Sequence, residues 1–382
     1  MKYNVKEIIL NERIIDFWKK SSNKITINSS YEWYMIYSEK ISSKNVCYGL
    51  FENYELISIA TAFIIDNIGV NTWHNCFTFY NNSNDFNYSK ISFVDKREED
   101  LLPYMILTSP FGYTNEFISQ RNLSEKEIIF FINGILKSAK LKGMKMCSFL
   151  WQEDSDQVKL KAMNKCRLIK NFMGCNHYLE IDNFNSFNDY MNSLKKKRSK
   201  NIKRERKIFS QNKFEVKLAS LTEKKINILI NLKRNLNEKY NYNQPISFIK
   251  KEINFLLKHP NSMLFELYKL NILVGYLIGF LWNNCFYCVS IGFDYENINE
   301  GYCYFNVLYY LIEYLIENTN VKRIYFGGGA LEAKLSRGFK PISYLGYYKF
   351  FDNNLNWFKK DIEEYGKAKL EYYNYMYYKF LA

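Results

Sequence analysis

Residues 263–294 read MLFELYK, LN, ILVGYLIGFLW, NN, CFYCVSIGFD, and this stretch decides the fold. Three runs rich in β-branched and aromatic side chains, Met263 to Lys269, Ile272 to Trp282 and Cys285 to Asp294, are separated by the dipeptides Leu270-Asn271 and Asn283-Asn284. Asn tolerates the left-handed backbone of tight hairpin turns, so the pattern predicts an antiparallel meander. After the polar YENINEG, the apolar positions Phe305, Leu308, Tyr309, Ile312, Leu315 and Ile316 fall at steps of three and four, which predicts a helix with one buried face. Arg323 to Phe326 (RIYF) reads as a short strand, GGGALEAKLSR as a glycine turn opening a short helix, and Ile342 to Asp352 as a final strand. The order is β-β-β-α-β-α-β.

The first half repeats this order more loosely. Strands are expected near 46–51, 56–65 and 69–79 and at Tyr104 to Thr108, a helix at Glu125 to Leu141, a strand at Lys145 to Trp151, a helix near 156–168 and a strand at Phe172 to Ile181. Two copies of one α/β unit, each a mixed, mostly antiparallel sheet flanked by helices, account for this. The expected organisation is a unit over 1–182, a basic connecting helix over 183–212 and a second unit over 213–382.

Of the 382 residues, 47% are hydrophobic and 24% charged, with 16 Gly and 5 Pro, which excludes a disordered or collagen-like polymer. Lys and Arg outnumber Asp and Glu by 53 to 39, a net charge of +14 that suits an anionic partner. The longest apolar run, Ile272 to Trp282, is too short for a membrane span. Charged residues Lys6, Glu7, Glu12 and Arg13 stand where a signal peptide needs an apolar run, so a cytoplasmic location is expected. Eight cysteines scattered over so long a chain read as reduced thiols. Cys285 and Cys288 have zinc-knuckle spacing but no second pair, and His74, His177 and His259 show no mutual spacing, so no metal site is expected and the histidines read as structural.

Between the halves, FNSFNDYMNSLKKKRSKNIKRERKIFSQN reads as one helix with Asn185 or Ser186 as N-cap and Asp189 in the first turn. From Lys195 to Lys207 it holds nine basic residues and one acid, a local charge of +8. Such a run serves as a solvated face or as a phosphate contact. Met191, Leu194, Ile202 and Phe209 define an apolar stripe on which Arg198 falls, and a charge facing a core needs a partner. Arg198 is therefore the candidate inward-pointing anion ligand, with Arg204 and Arg206 as outer contacts, since the guanidinium fork binds phosphate or carboxylate bidentately.

Gly327, Gly328 and Gly329 follow a strand and open a helix, so their N–H groups face an anion or a carbonyl oxygen, or else make only a sharp turn. Lys334 and Arg337 lie on the short helix that follows. Asp294 ends a strand, where its carboxylate either deprotonates an amine or simply forms a turn.

The runs HYLEIDNFNSFNDYMNSLKKKRSKNIKRER, ELYKLNILVGYLIGFLWNNCFYCVSIGFDYE and RIYFGGGALEAKLSRGFKP resemble the FemAB-like peptidoglycan biosynthesis/recognition proteins of the GNAT acyltransferase superfamily. The resemblance covers about 170–350 closely and the first half in plan. It rests on Arg198, Ile202, Glu205 and Arg206 in the basic segment and on Gly327, Gly329, Lys334, Arg337, Gly338, Phe339 and Pro341 near the end. It implies two tandem GNAT-like units and transfer of an acyl or aminoacyl group to an amine. The donor would be aminoacyl-tRNA or acyl-CoA, with no tightly bound cofactor, and the acceptor an amine of a cell-wall precursor, peptide or specialised metabolite. Ala333 replaces the His that many members carry before the Lys, and the stretch from Asp294 to Tyr304 lacks the Q/RxxGxG/A loop that holds the CoA pyrophosphate in typical GNAT enzymes.

In such a reaction the activated ester or thioester already has a good leaving group, so positioning and stabilisation of the oxyanion supply most of the effect. The expected roles are Lys334 and the backbone of Gly327 to Ala330 at the developing negative charge, Arg198, Arg204, Arg206 and Arg337 at a donor or acceptor phosphate, and Asp294 as a base. The competing reading is a non-catalytic binder of nucleic acid or cell-wall precursor that uses the basic helix.

Overall fold

The structure, a computed structural model, describes residues 2–42, 44–68, 75–77, 97–110, 112–240, 242, 244–298 and 302–381. In chain order the elements are β1 (Tyr3–Ile8), α1 (Glu12–Lys20), α2 (Tyr31–Ile41), β2 (Asn45–Glu52), β3 (Glu55–Ile65), β4 (Tyr104–Leu107), α3 (Glu125–Leu141), β5 (Met146–Glu153), α4 (Gln157–Lys165) and β6 (Ile169–Glu180). There follow α5 (Phe187–Ser193), α6 (Lys196–Gln211), β7 (Phe214–Ala219), α7 (Ile226–Lys239), α8 (Ile246–Lys258), β8 (Ser262–Lys269), β9 (Ile272–Trp282), β10 (Cys285–Phe293), α9 (Cys303–Asn318), β11 (Arg323–Tyr325), α10 (Leu331–Leu335), β12 (Lys340–Phe350) and α11 (Asn356–Leu381).

The chain forms two compact units, Met1–Asn176 with Ile342–Ala382, and His177–Pro341. This division differs from 1–182, 183–212 and 213–382: the basic segment is part of the second unit, and the last strand and helix belong to the first. The order β, α, α, β, β, β, α, β, α, β runs from β1 to β6 and again from β7 to β12. The β-α-α that opens each copy is additional to the order read from the sequence. Of the strand expected at 69–79, only 75–77 are described, and Cys76 and Phe77 are helical; His74 and the remainder lie outside the described residues.

In the first unit the strands lie in the order β1-β2-β3-β4-β5-β12, with β4 and β5 parallel. Its core includes Trp18, Ile59, Phe63, Ile106, Trp151 and Tyr348, each almost fully buried. Helix α3 starts on a capping box: Glu127 N–H donates to Ser124 Oγ at 3.4 Å, and Ser124 N–H donates to Glu127 Oε2 at 2.8 Å. Arg121 adds a fork, 2.6 and 3.0 Å from the two oxygens of Glu127, and with this partner the carboxyl is held down at about 2.

In the second unit β7, which the sequence reading did not include, pairs antiparallel with β8, and β8, β9 and β10 form the expected antiparallel meander. Its turns place Leu270 (φ 49°), Asn271 (φ 68°), Asn283 (φ 48°) and Asn284 (φ 59°) in the left-handed region, which carries the chain round in two residues. β11 then pairs parallel with β10 and antiparallel with Tyr178–Glu180 of β6. Helix α9 buries Val307, Leu308, Leu311, Ile312 and Leu315 against Phe265, Leu277, Phe286 and Ile324. At roughly 1.5–3 kcal/mol for each large apolar side chain, this face anchors the helix from which the site described next is supported.

The basic segment is two helices, not one. Ser186 caps α5, accepting Asp189 N–H at 3.2 Å, and the helix ends at Leu194. Leu194 and Lys195 are extended, and α6 starts afresh at Lys196. Leu194 packs over Gly338 so closely that a Cβ there would lie 2.9 Å from Leu194 Cδ2, and this packing replaces continuation of the helix. The stripe of Met191, Leu194, Ile202 and Phe209 therefore crosses a break. No helix among the described residues is long and apolar enough to cross a membrane.

Candidate active site

The parallel pairing of β10 with β11 covers only Cys285↔Arg323, Phe286↔Ile324 and Tyr287↔Tyr325. Beyond it Phe326 stays with β6, its N–H donating to His177 O at 3.0 Å, while β10 runs on to Phe293. The ladder between β10 and β9 also shifts register between Cys288 and Ser290. The strands thus part just past Tyr287 and Tyr325. By alternation, Cys288, Phe326 and His177 project to the same side of the sheet as Phe286, Ile324 and Leu179.

Lys334 enters this side from α10. Its Nζ donates to Gly327 O at 2.8 Å and lies 5.8 Å from the centre of the Phe326 ring, and the residue is only 2% exposed. Burial, opposed by the Cys288 thiol, lowers its amine from the usual lysine range to about 7. His177 Nδ1 lies 3.3 Å from the same carbonyl. Burial, and after it the charge of Lys334, push the imidazole down to about 3 against the opposing pull of Gly327 O. The histidine is therefore neutral at physiological pH, whereas the lysine sits near its midpoint and can take or give a proton. Burial pushes Cys288 up to about 12, so its sulfur stays protonated and is not a nucleophile at neutral pH.

Gly327 has φ +76°, and a Cβ built on Gly327 or Gly329 would meet nothing within 4 Å. Gly327 and Gly328 are half-buried and Gly329 is exposed. The helix they open, α10, spans five residues from a left-handed Ala330 with no side-chain cap. That is too short for the aligned dipole on which the expected anion site at its N-terminus depends.

The structure brings the basic segment and the lysine-bearing turn together, but through protein partners. Arg198 is half-buried and its Nη1 donates to Leu335 O at 3.1 Å, so the inward partner expected to be a bound anion is a backbone carbonyl of α10. Arg206 Nη2 pairs with Glu313 at 2.8 Å, its guanidinium 4.7 Å from the Phe187 ring, which makes it a packing contact between helices in place of an outer ligand. Arg204 is exposed. Arg337, expected at a phosphate, is 7% exposed, donates from Nη2 to Glu205 at 2.8 Å and from Nε to Tyr309 OH at 2.6 Å, and lies 3.5 Å from the Phe305 ring centre.

Asp294 has both carboxylate oxygens engaged by its own turn, accepting Glu296 N–H at 3.1 Å and Asn297 Nδ2 at 2.7 Å. The turn-forming alternative describes it. His177, read from the sequence as structural, belongs instead to the Lys334 cluster. The only sequence signal for it is its place two residues before Leu179, on the face that the strand turns to the core.

The model of the FemAB-like family, described as peptidoglycan biosynthesis/recognition, matches residues 84–377. No curated protein matches the chain. Among solved structures, the crystal structure of FemX superposes with TM-score 0.58 and 10% identity, over 92% of this chain and 98% of that one. A conserved protein of unknown function from Bacteroides thetaiotaomicron VPI-5482 superposes with TM-score 0.50 and 11% identity, over 91% and 100%. At these identities the two structures share the fold, while the family match spans well over half the sequence and takes in every residue of the cluster. The chain belongs to the FemAB-like family of peptidoglycan biosynthesis and recognition proteins, and its class of activity is acyl or aminoacyl transfer.

Proposed function

We propose that the chain moves an acyl or aminoacyl group from aminoacyl-tRNA or acyl-CoA to an amine of a peptidoglycan precursor in the cytoplasm, with Lys334 as proton carrier. The acceptor nitrogen attacks the donor's carbonyl carbon, the C–N bond forms and an electron pair moves onto the carbonyl oxygen. Neutral Lys334 takes the proton released by the nitrogen. When the intermediate collapses, the C–O or C–S bond breaks and Lys334 returns that proton to the leaving oxygen or sulfur.

One observation carries this reading: a buried amine, lowered to about 7, placed where β10 and β11 part and held 2.8 Å from Gly327 O. The open space at Gly327 and Gly329 leaves room for a substrate carbonyl beside the turn. The sequence-based role for Lys334 was a fixed cation; burial favours a group that changes charge. The test is Lys334→Ala in a transfer assay run with charged tRNA and with acyl-CoA side by side, with and without RNase. Turnover falls by about 10²–10⁴, the range for a proton-transfer group. A folded variant with full turnover removes Lys334 from the chemistry.

A phosphate-binding reading has its own support in α6, whose Lys196, Lys197, Lys200, Lys203, Arg204 and Lys207 are all exposed. It favours the tRNA donor within the enzyme reading and stands by itself if transfer fails. Association through these side chains weakens steeply as salt rises.

A further inference from the structure

We infer that His177 is a positioning residue for the transfer reaction: with Lys334 it shares the carbonyl of Gly327, and so holds the glycine turn in place while the lysine changes charge. The inference rests on the reading of Lys334 as proton carrier.

A backbone carbonyl has two lone pairs and only accepts, so Gly327 O can take one hydrogen from Lys334 Nζ at 2.8 Å and a second from the imidazole at 3.3 Å. The nitrogen facing it is Nδ1, which fixes the tautomer: Nδ1 carries the proton and Nε2 is the bare nitrogen. His177 is fully buried on β6, and its own carbonyl accepts Phe326 N–H at 3.0 Å, so strand and turn are joined at consecutive residues, Phe326 through the backbone and Gly327 through the ring.

The two donors are not equivalent. Lys334 must gain and give up a proton in each cycle, and its bond to Gly327 O is stronger as ammonium than as amine. The imidazole remains neutral across the working pH range, so its bond is constant. The turn carries three consecutive glycines with large backbone freedom, Gly327 in the left-handed region, and opens a helix with no side-chain cap. A constant second donor keeps the turn, and with it the lysine amine, in register through the cycle.

The test uses the full chain. Imidazole ¹⁵N NMR at pH 7, without substrate, shows His177 protonated at Nδ1 and bare at Nε2; the opposite tautomer overturns the inference. In the transfer assay His177→Phe keeps an aromatic ring but donates nothing, and lowers kcat about tenfold with KM for both substrates within about twofold, the loss expected for one buried hydrogen bond. His177→Gln restores a donor and recovers kcat to within about threefold. A folded His177→Phe with parental kcat, or a loss confined to KM, overturns the inference. Where His177→Phe does not fold, the tautomer and His177→Gln decide. Full turnover of Lys334→Ala would overturn the proton-carrier reading and leave the tautomer result standing, so the two failures are distinguishable.

Discussion

Arg337 Nη2 lies 2.8 Å from the Glu205 carboxylate, with both side chains 8% exposed, and Tyr309 joins them by accepting from Arg337 Nε and donating to Glu205. The two residues come from the two sequence motifs on which the family resemblance rests. Their pairing ties α6 to the end of α10, while Tyr190 OH donates to Arg337 O at 2.9 Å from α5. The clamp fixes the segment that carries Lys334 and gives the Arg337 guanidinium a carboxylate partner within the chain.

Removing one partner leaves a buried, uncompensated charge. Glu205→Ala lowers the unfolding free energy by about 3–5 kcal/mol in urea titrations, whereas Glu205→Leu with Arg337→Met, which removes both charges, loses far less. A single substitution costing under about 1 kcal/mol would refute the clamp.

Lys334 gives a stability prediction with a defined sign. Its amine is at about 7 in the folded chain and near 10.5 when unfolded, so between these values the unfolded state binds more protons and stability rises with pH. Below pH 7 the folded chain carries the full cost of a buried ammonium. Lys334→Met therefore stabilises the chain by on the order of 4 kcal/mol at pH 7, and the gain vanishes by about pH 10.5. Chemical denaturation at the two pH values checks both statements.

The Arg206–Glu313 pair is expected to behave differently, being 39% and 30% exposed. Arg206→Ala costs about 1 kcal/mol or less, from screening and the retained apolar packing of the helix. Thermal melts of Arg206→Ala beside Glu205→Ala rank the two.

Glu127 sets an acid limit in the first unit. Its carboxyl is held at about 2, chiefly by Arg121, so it contributes stability that is complete above the usual carboxylate range and is lost as pH falls toward 2. Glu127→Ala is destabilising by about 1–2 kcal/mol at pH 7 and equal to the parent at pH 2, read from melts across that interval.

Charge reversal on the exposed face of α6, Lys196→Glu with Lys200→Glu and Lys203→Glu, leaves the melting temperature within a few degrees. It lowers affinity for charged tRNA and flattens its salt dependence by roughly one unit of slope per lost phosphate contact. Unchanged affinity at low salt would exclude this face as the tRNA contact.

Local signals made the meander, α3 and α9 legible, because alternation, two-residue Asn turns and a helical apolar period are each written within a dozen residues. The opening helices of each copy were left out of that reading, although Ile14 and Trp18 of α1 and Leu229, Ile230, Leu232 and Leu236 of α7 lie at helical spacing on a buried face. The break at Leu194 escaped too, because it answers to Gly338, far away in the chain.

The candidate site divided along the same line. Lys334 and the glycine turn stood out as residue types in sequence order. That Arg198, Arg206 and Arg337 engage Leu335, Glu313 and Glu205 depends on long-range pairing. A basic residue looks the same in sequence whether its partner is an outside phosphate or a carboxylate a hundred residues away. His177 shows the limit most clearly. Sequence determined the strand periods, the basic surplus and the family motifs, all properties of neighbours along the chain; burial and the partner at Gly327 O exist only after folding, and they alone set the charge state of His177 and Lys334.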